Sequence, residues 1–278
     1  MTSIQHEPPR LPAVYGERAM PGPWQHGPVQ IWLVDSRLSD APAAGEQSVL
    51  DTHERGRARA FARETDRRQY VAAHTALRRL LGCYLGTDPA ALQFYREPCP
   101  CCGGPHGRPA VRDAPLHFSL SHCDGVALLA FASHPVGVDV EKLPSADAVA
   151  LVAEWLHERE RAELAALPMP ERPAAFARCW TRKEAYLKGT GTGLAQGLSH
   201  DYVGTGTRPA GIVDWTLQDV SAPPGHAAAC SVRDGAGWQA DDPASGWSPT
   251  ACVPTAVTRP AAAEGPSPRQ ASPRPAGR

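Results

Sequence analysis

Apolar residues recur along the chain with two different periods, and the switches between them mark out the elements. At 29–35, VQIWLVD is dense in β-branched and aromatic residues and predicts a first strand. Over 66–86, Tyr70, His74, Leu77, Leu81 and Tyr84 recur at steps of four and three. That spacing predicts a helix burying one stripe, with Thr65 as its N-cap and Gly86 as its stop. From 116 to 140 the pattern changes to a predicted three-strand meander, LHFSLSH, VALLAFA and VGVDV, joined by turns at Cys123-Asp124-Gly125 and Ser133-His134-Pro135. Helical text resumes from about 145 to 188, is broken near Pro168 and Pro170, and ends in GTGTGL. GIVDWTLQDV at 211–220 and HAAACSV at 226–232 predict two further strands.

The ends follow neither period. Residues 1–28 are proline-rich and read as a loose lead-in, while 240–278 are Pro, Ala, Ser, Gly and Arg with almost no aliphatic residue. Such a tail cannot bury enough surface to offset its ordering entropy and is expected to be disordered. The 278 residues allow one large domain or two small ones. A net charge of −1 gives no overall pull toward nucleic acid, so anion binding must come from a local basic patch. The longest apolar run, VALLAFA, is too short to span a membrane, and residues 1–30 lack the charged start and apolar middle of a signal peptide. The expectation is a cytoplasmic protein whose eight cysteines are reduced thiols.

Candidate chemistry enters with acids in awkward places. Asp139 and Glu141 of VGVDVEKL are two apart on a predicted strand, so their carboxylates share a face, where they repel. A cation relieves that repulsion, and a third carboxylate would complete a hard-oxygen site for Mg²⁺. Glu184 of WTRKEAYLKGTGTGL is the candidate, because Trp180, Glu184 and Lys188 lie along one helix face. The simpler reading is a surface Glu184–Lys188 pair, which explains neither the tryptophan nor the acid pair.

A basic stretch over 54–79 carries eight arginines; most suit a solvated face, but together with Arg108, Ser121 and His122 they match a ligand bearing several phosphates. CPCCGGPHG at 99–107 holds Cys99, Cys101, Cys102 and His106. It is half of a zinc pattern, and reads more readily as a glycine- and proline-rich surface loop.

FSLSH, VGVDVEKL and WTRKEAYLKGTGTGL, in that order and spacing, resemble the 4′-phosphopantetheinyl transferases of the long, surfactin-synthetase-activating type, over roughly 30–232. The resemblance implies an α/β (α+β) fold of two similar halves, 29–136 and 137–232, each a small antiparallel sheet packed with a long helix, with the active site in the cleft between them. It implies Mg²⁺-dependent transfer of phosphopantetheine from coenzyme A to a serine of an apo acyl or peptidyl carrier protein, releasing adenosine 3′,5′-bisphosphate. Asp139, Glu141 and Glu184 would hold the metal. Arg57, Arg68, Arg108, Ser121, His122, Asp139, Lys183 and Lys188 would contact coenzyme A, with Glu184 and Lys188 catalytic. The base would be Glu184, directly or through a metal-bound water. A working monomer is implied, since the second half replaces a partner subunit. The rival reading is a Mg²⁺-dependent phosphohydrolase acting on a nucleotide-like substrate; a zinc-loop protein binding nucleic acid explains less, and no nucleic-acid or membrane partner is expected.

Overall fold

The computed structural model describes residues 10–11, 20–38, 46–193 and 197–234. The expected tail over 240–278 and most of the lead-in lie outside the described residues. In chain order the strands are β1 (Arg10–Leu11), β2 (Gln30–Asp35), β3 (Phe94–Arg96), β4 (Pro109–Val111), β5 (His117–Cys123), β6 (Val126–Ala132), β7 (Val136–Lys142), β8 (Trp215–Asp219) and β9 (His226–Arg233). The α-helices are α1 (Thr52–Arg59), α2 (Glu64–Leu85), α3 (Ala146–Val152), α4 (Glu158–Ala166) and α5 (Arg172–Thr190).

The fold is mixed α/β with small antiparallel sheets. One sheet has the order β1-β2-β6-β5, another β7-β9-β8, and β3 and β4 form a separate hairpin. Within the lead-in, Arg10 and Leu11 pair parallel with Leu33 and Val34. Trp24 also docks edge-on against Tyr84, with ring centroids 5.3 Å apart.

The predicted meander closes only through its first two strands. β5 and β6 pair antiparallel about a turn in which Asp124 (φ 47°) and Gly125 (φ 84°) are both left-handed, the geometry that two-residue hairpins require. β6 already has β5 on one edge and β2 on the other, so no edge of it is left for β7. β7 instead crosses into the second sheet and pairs with β9.

Strand periodicity explains why VALLAFA is apolar throughout. Ala127, Leu129 and Phe131 point into a core shared with Leu77, Leu80, Leu81 and Tyr84 of α2. Val126, Leu128, Ala130 and Ala132 point the other way, into a core shared with Val136, Val138, Val140, Ala228, Cys230 and Val232 of the second sheet. A strand buried on both faces has no polar alternation to show. The two sheets are thereby joined through β6.

α2 matches the predicted stripe and ends at Gly86, which is left-handed at φ 61°. Its N-cap is Arg63 rather than Thr65, with no side-chain cap. Glu64 and Asp66 place acids in the first turn, where they complement the helix dipole instead.

Candidate active site

Alternation along β5 and β7 brings the site together. On β5, Phe118 faces the α2 core while Ser119 and Ser121 face β7. Ser119 Oγ accepts from the Val138 N–H at 3.1 Å, and Ser121 Oγ donates to Asp139 Oδ1 at 2.7 Å. On β7, Val136, Val138 and Val140 enter the shared core, leaving Gly137, Asp139 and Glu141 on the opposite side, against α5.

Gly137 sets how close α5 comes. A Cβ there would lie 2.0 Å from the Ala185 carbonyl oxygen and 2.4 Å from the Gly189 nitrogen. Backbone therefore meets backbone, and the helix turn carrying Glu184 and Lys188 is drawn over the strand. Lys188 Nζ donates to Asp139 Oδ1 at 2.6 Å and to Ser121 Oγ at 2.9 Å. The Lys188 side chain keeps 31 % of its surface exposed, so the ion pair opens to solvent.

The acids form one electrostatic cluster. Burial raises the Glu184 carboxyl above its ordinary range, and the negative charges of Asp139 and Glu141 raise it further, against the pull of Lys188. Burial and Asp139 likewise raise Glu141. Asp139 Oδ2 is buried without a hydrogen-bond partner. An orphaned carboxylate oxygen beside two acids that resist ionising fits a hard divalent cation, which would supply the missing ligand and neutralise the set. The three carboxylates are not gathered to within 4.8 Å of one another; among the described residues that spacing is met by Cys99, Cys102 and His106.

The remaining expected site residues divide. His122 projects from the other face of β5; desolvation lowers its imidazole, and the neighbouring His74, Lys188 and Arg57 add to that. It therefore lies within electrostatic range of both Lys188 and the exposed Arg57. Arg68 is exposed and pairs with Glu64 at 3.1 Å one helical turn away. Arg108 binds Glu97 Oε2 at 2.9 and 2.6 Å and the Gly189 carbonyl at 3.1 Å. It lines a cavity of about 260 Å³ with Glu97, Pro135, Gly189, Gly191 and Trp215. Lys183 is not brought to the acids: it is 3 % exposed, pairs with Glu160 at 2.8 Å and donates to the Asp201 carbonyl. One residue is about 100° around a helix, so Lys183 must face away from the side that Glu184 and Lys188 share. Trp180 stacks on Phe176 against the core beneath α3.

His74 belongs by spacing to the apolar stripe of α2. Its Nδ1 donates to the Glu54 carboxylate at 3.2 Å, and Glu54 also binds the fully buried Arg78 at 2.6 Å. A histidine in an otherwise apolar stripe is the signal for this arrangement.

Three acids, a lysine and a serine thus stand together at the seam of the two sheets. Residues 135–227 match the family model described as the 4′-phosphopantetheinyl transferase superfamily. The 4′-phosphopantetheinyl transferase HetI of a Nostoc species is 32 % identical over 220 residues, covering 76 % of this chain and 90 % of that one. The 4′-phosphopantetheinyl transferase Sfp of Bacillus subtilis is 24 % identical over 163 residues, covering 58 % and 69 %. A putative 4′-phosphopantetheinyl transferase of Synechocystis is 30 % identical over 175 residues, covering 61 % and 68 %. The chain belongs to the 4′-phosphopantetheinyl transferase superfamily and resembles its long type. Among the described residues, no helix is long and apolar enough to cross a membrane.

The raised acids carry a prediction with a definite sign. A carboxyl whose folded pKa lies above its unfolded value stabilises the fold while protonated, and that contribution is lost as pH rises through the folded pKa. In EDTA at neutral pH, Glu184→Gln should therefore melt higher than the parent, and the difference should shrink on acidification. A melt of both proteins across that range checks it; a lower melting temperature for the variant at neutral pH would contradict the electrostatic reading.

Proposed function

We propose that the protein transfers 4′-phosphopantetheine from coenzyme A to a serine of an apo carrier protein, releasing adenosine 3′,5′-bisphosphate. The observation carrying this reading is the orphaned Asp139 Oδ2 beside Glu141, Glu184 and Lys188 in a chain of this family. Asp139, Glu141 and Glu184 would hold Mg²⁺, whose chemistry when bound is to offset the charge of the coenzyme A pyrophosphate.

Lys188 sits at the exposed edge of the cluster, where its ammonium can meet the pyrophosphate oxygens as charge develops on the leaving side. Ser121 and Lys188 together fix Asp139 Oδ1 and leave Oδ2 for the cation. The carrier serine must lose its proton as its oxygen attacks phosphorus, and we assign Glu184 as the acceptor. Positioning and charge neutralisation are most of what phosphoryl-group transfer asks of a protein.

His122 and Arg57 supply positive or hydrogen-bonding groups for the adenosine phosphates, with Arg108 at the neighbouring cavity. Lys183 has no such role, since it is committed to Glu160. One chain supplies the whole cluster, which supports a working monomer, with each of its two larger sheets packed beside a long helix.

Arg108→Ala should raise the apparent KM for coenzyme A roughly tenfold, the worth of one charge-assisted hydrogen bond, with a much smaller effect on kcat. Steady-state kinetics with coenzyme A varied at saturating carrier decides this; an unchanged KM would remove Arg108 from the substrate site.

A further inference from the structure

The loop between β3 and β4 has a built ligand cluster that the transfer reaction does not use. Cys99, Cys102 and His106 place their ligand atoms within 4.8 Å of one another, and Cys102 Sγ lies 3.0 Å from His106 Nε2. From these residues we propose a zinc site that clasps the loop, distinct from the acid cluster.

The backbone is shaped around the sulfur atoms. Cys99 is 2 % exposed, and the backbone N–H groups of Cys101 and Cys102 donate to its sulfur. The Gly103 N–H returns to the Cys99 carbonyl at 2.8 Å, while the Gly104 carbonyl accepts from Cys99 at 2.8 Å and from His106 at 2.9 Å. This tight turn brings residues 99, 102 and 106 onto one point. Gly104 keeps the point clear: a Cβ there would stand 3.1 Å from His106 Cδ2 and 3.3 Å from both Cys102 Sγ and His106 Nε2. The Cys101 thiol, within hydrogen-bonding range of Cys99, stands outside this group of three, which leaves a fourth position for water.

Thiolate and imidazole donors in a tetrahedral set select zinc, with metal–sulfur distances of about 2.3 Å and metal–nitrogen distances of about 2.0 Å. The acid cluster, with oxygen donors only, suits a harder ion, so the two sites sort different metals. The three donors come from a single turn, where a more familiar structural site joins two separate pairs.

The clasp has a mechanical consequence. Glu97 and Arg108 bracket the loop, joined by a backbone bond of 2.9 Å and by their side chains, and Arg108 reaches the Gly189 carbonyl just past Lys188. Zinc at the loop tip would hold Arg108 as a positioned residue beside the active site. This second step rests on the transferase reading; zinc binding itself does not.

The test begins with full-length protein purified without a metal-binding tag and exchanged into chelator-treated buffer, with metal content measured by mass spectrometry. Zinc near one per chain is expected, with loss in Cys99→Ser, Cys102→Ser and His106→Ala and retention in Cys83→Ser. Replacing zinc by Co²⁺ in the unmutated protein should give a thiolate-to-cobalt charge-transfer band and the visible bands of a tetrahedral ion, a readout that does not depend on any variant folding. Zinc far below stoichiometry, no cobalt–thiolate band, or undiminished zinc in the Cys102→Ser/His106→Ala double variant would each overturn the site. Stripping zinc while Mg²⁺ is kept saturating should raise the apparent KM for coenzyme A with kcat nearly unchanged. An unchanged KM would overturn the positioning role and leave the zinc site standing.

Discussion

Asp139→Ala should lower kcat/KM for phosphopantetheine transfer by at least about 10²- to 10³-fold, the scale on which a single preorganised electrostatic group is lost from a phosphoryl-transfer site. Three functions meet at this carboxylate. Oδ1 anchors Lys188 and Ser121, Oδ2 is buried without a partner, and the Asp139 charge adds to the burial that raises Glu184 and Glu141. Removing it would free Lys188 to turn into solvent and take from the proposed cation its most deeply buried ligand. The fold should survive, because Asp139 faces α5 and not the valine core on the other side of β7. The measurements are transfer kinetics together with a circular dichroism melt. Near-parental rates in a folded variant would exclude Asp139 as a ligand.

Gly137→Ala should be nearly as damaging, for a steric reason. The new methyl would lie 2.0 Å from the Ala185 oxygen and 2.4 Å from the Gly189 nitrogen, both backbone atoms inside or at the end of a helix and unable to swing away. Overpacking of this kind costs on the order of 3 kcal/mol, about 10 °C in melting temperature for a chain of this size. The displaced helix carries Glu184 and Lys188, so transfer should fall even at temperatures where the variant is folded. Gly56→Ala is the matched control: it lies in α1 with no atom within 4 Å of the added carbon, and should be neutral or stabilising by up to about 1 kcal/mol. A Gly137→Ala protein melting like the parent would mean that α5 and β7 do not meet as closely as described.

What could be read from sequence followed the strength of local periodicity. The period of two placed Asp139 and Glu141 on one side of a strand, and the step of four put Glu184 and Lys188 on one side of a helix. Their meeting required the close approach at Gly137, which sequence marks only as a glycine in a strand. The same helical geometry already argued against Lys183, a neighbour of Glu184 in the chain that lies about 100° around the helix, but the resemblance included it. Arg68 entered through the resemblance alone; Glu64 precedes it by four residues, the favourable spacing for a helical ion pair, and in the structure that pair is formed. The meander was misread because strand text fixes which face is apolar and not which edge is free. β7 had to leave once β2 and β5 occupied both edges of β6. The loop at 99–107 is the surface loop that its glycines and prolines imply; its half zinc pattern does not show that the backbone path around Gly103 and Gly104 brings Cys99, Cys102 and His106 to a point.

The most direct test of the central claim is the intact mass of an apo carrier protein after incubation with coenzyme A, Mg²⁺ and this protein, beside an identical reaction in EDTA. A gain of one phosphopantetheine per carrier, absent in EDTA, is the predicted result. An unmodified carrier across unrelated apo carriers, with coenzyme A cleaved whether or not carrier is present, would contradict it and make the acid cluster a hydrolytic site.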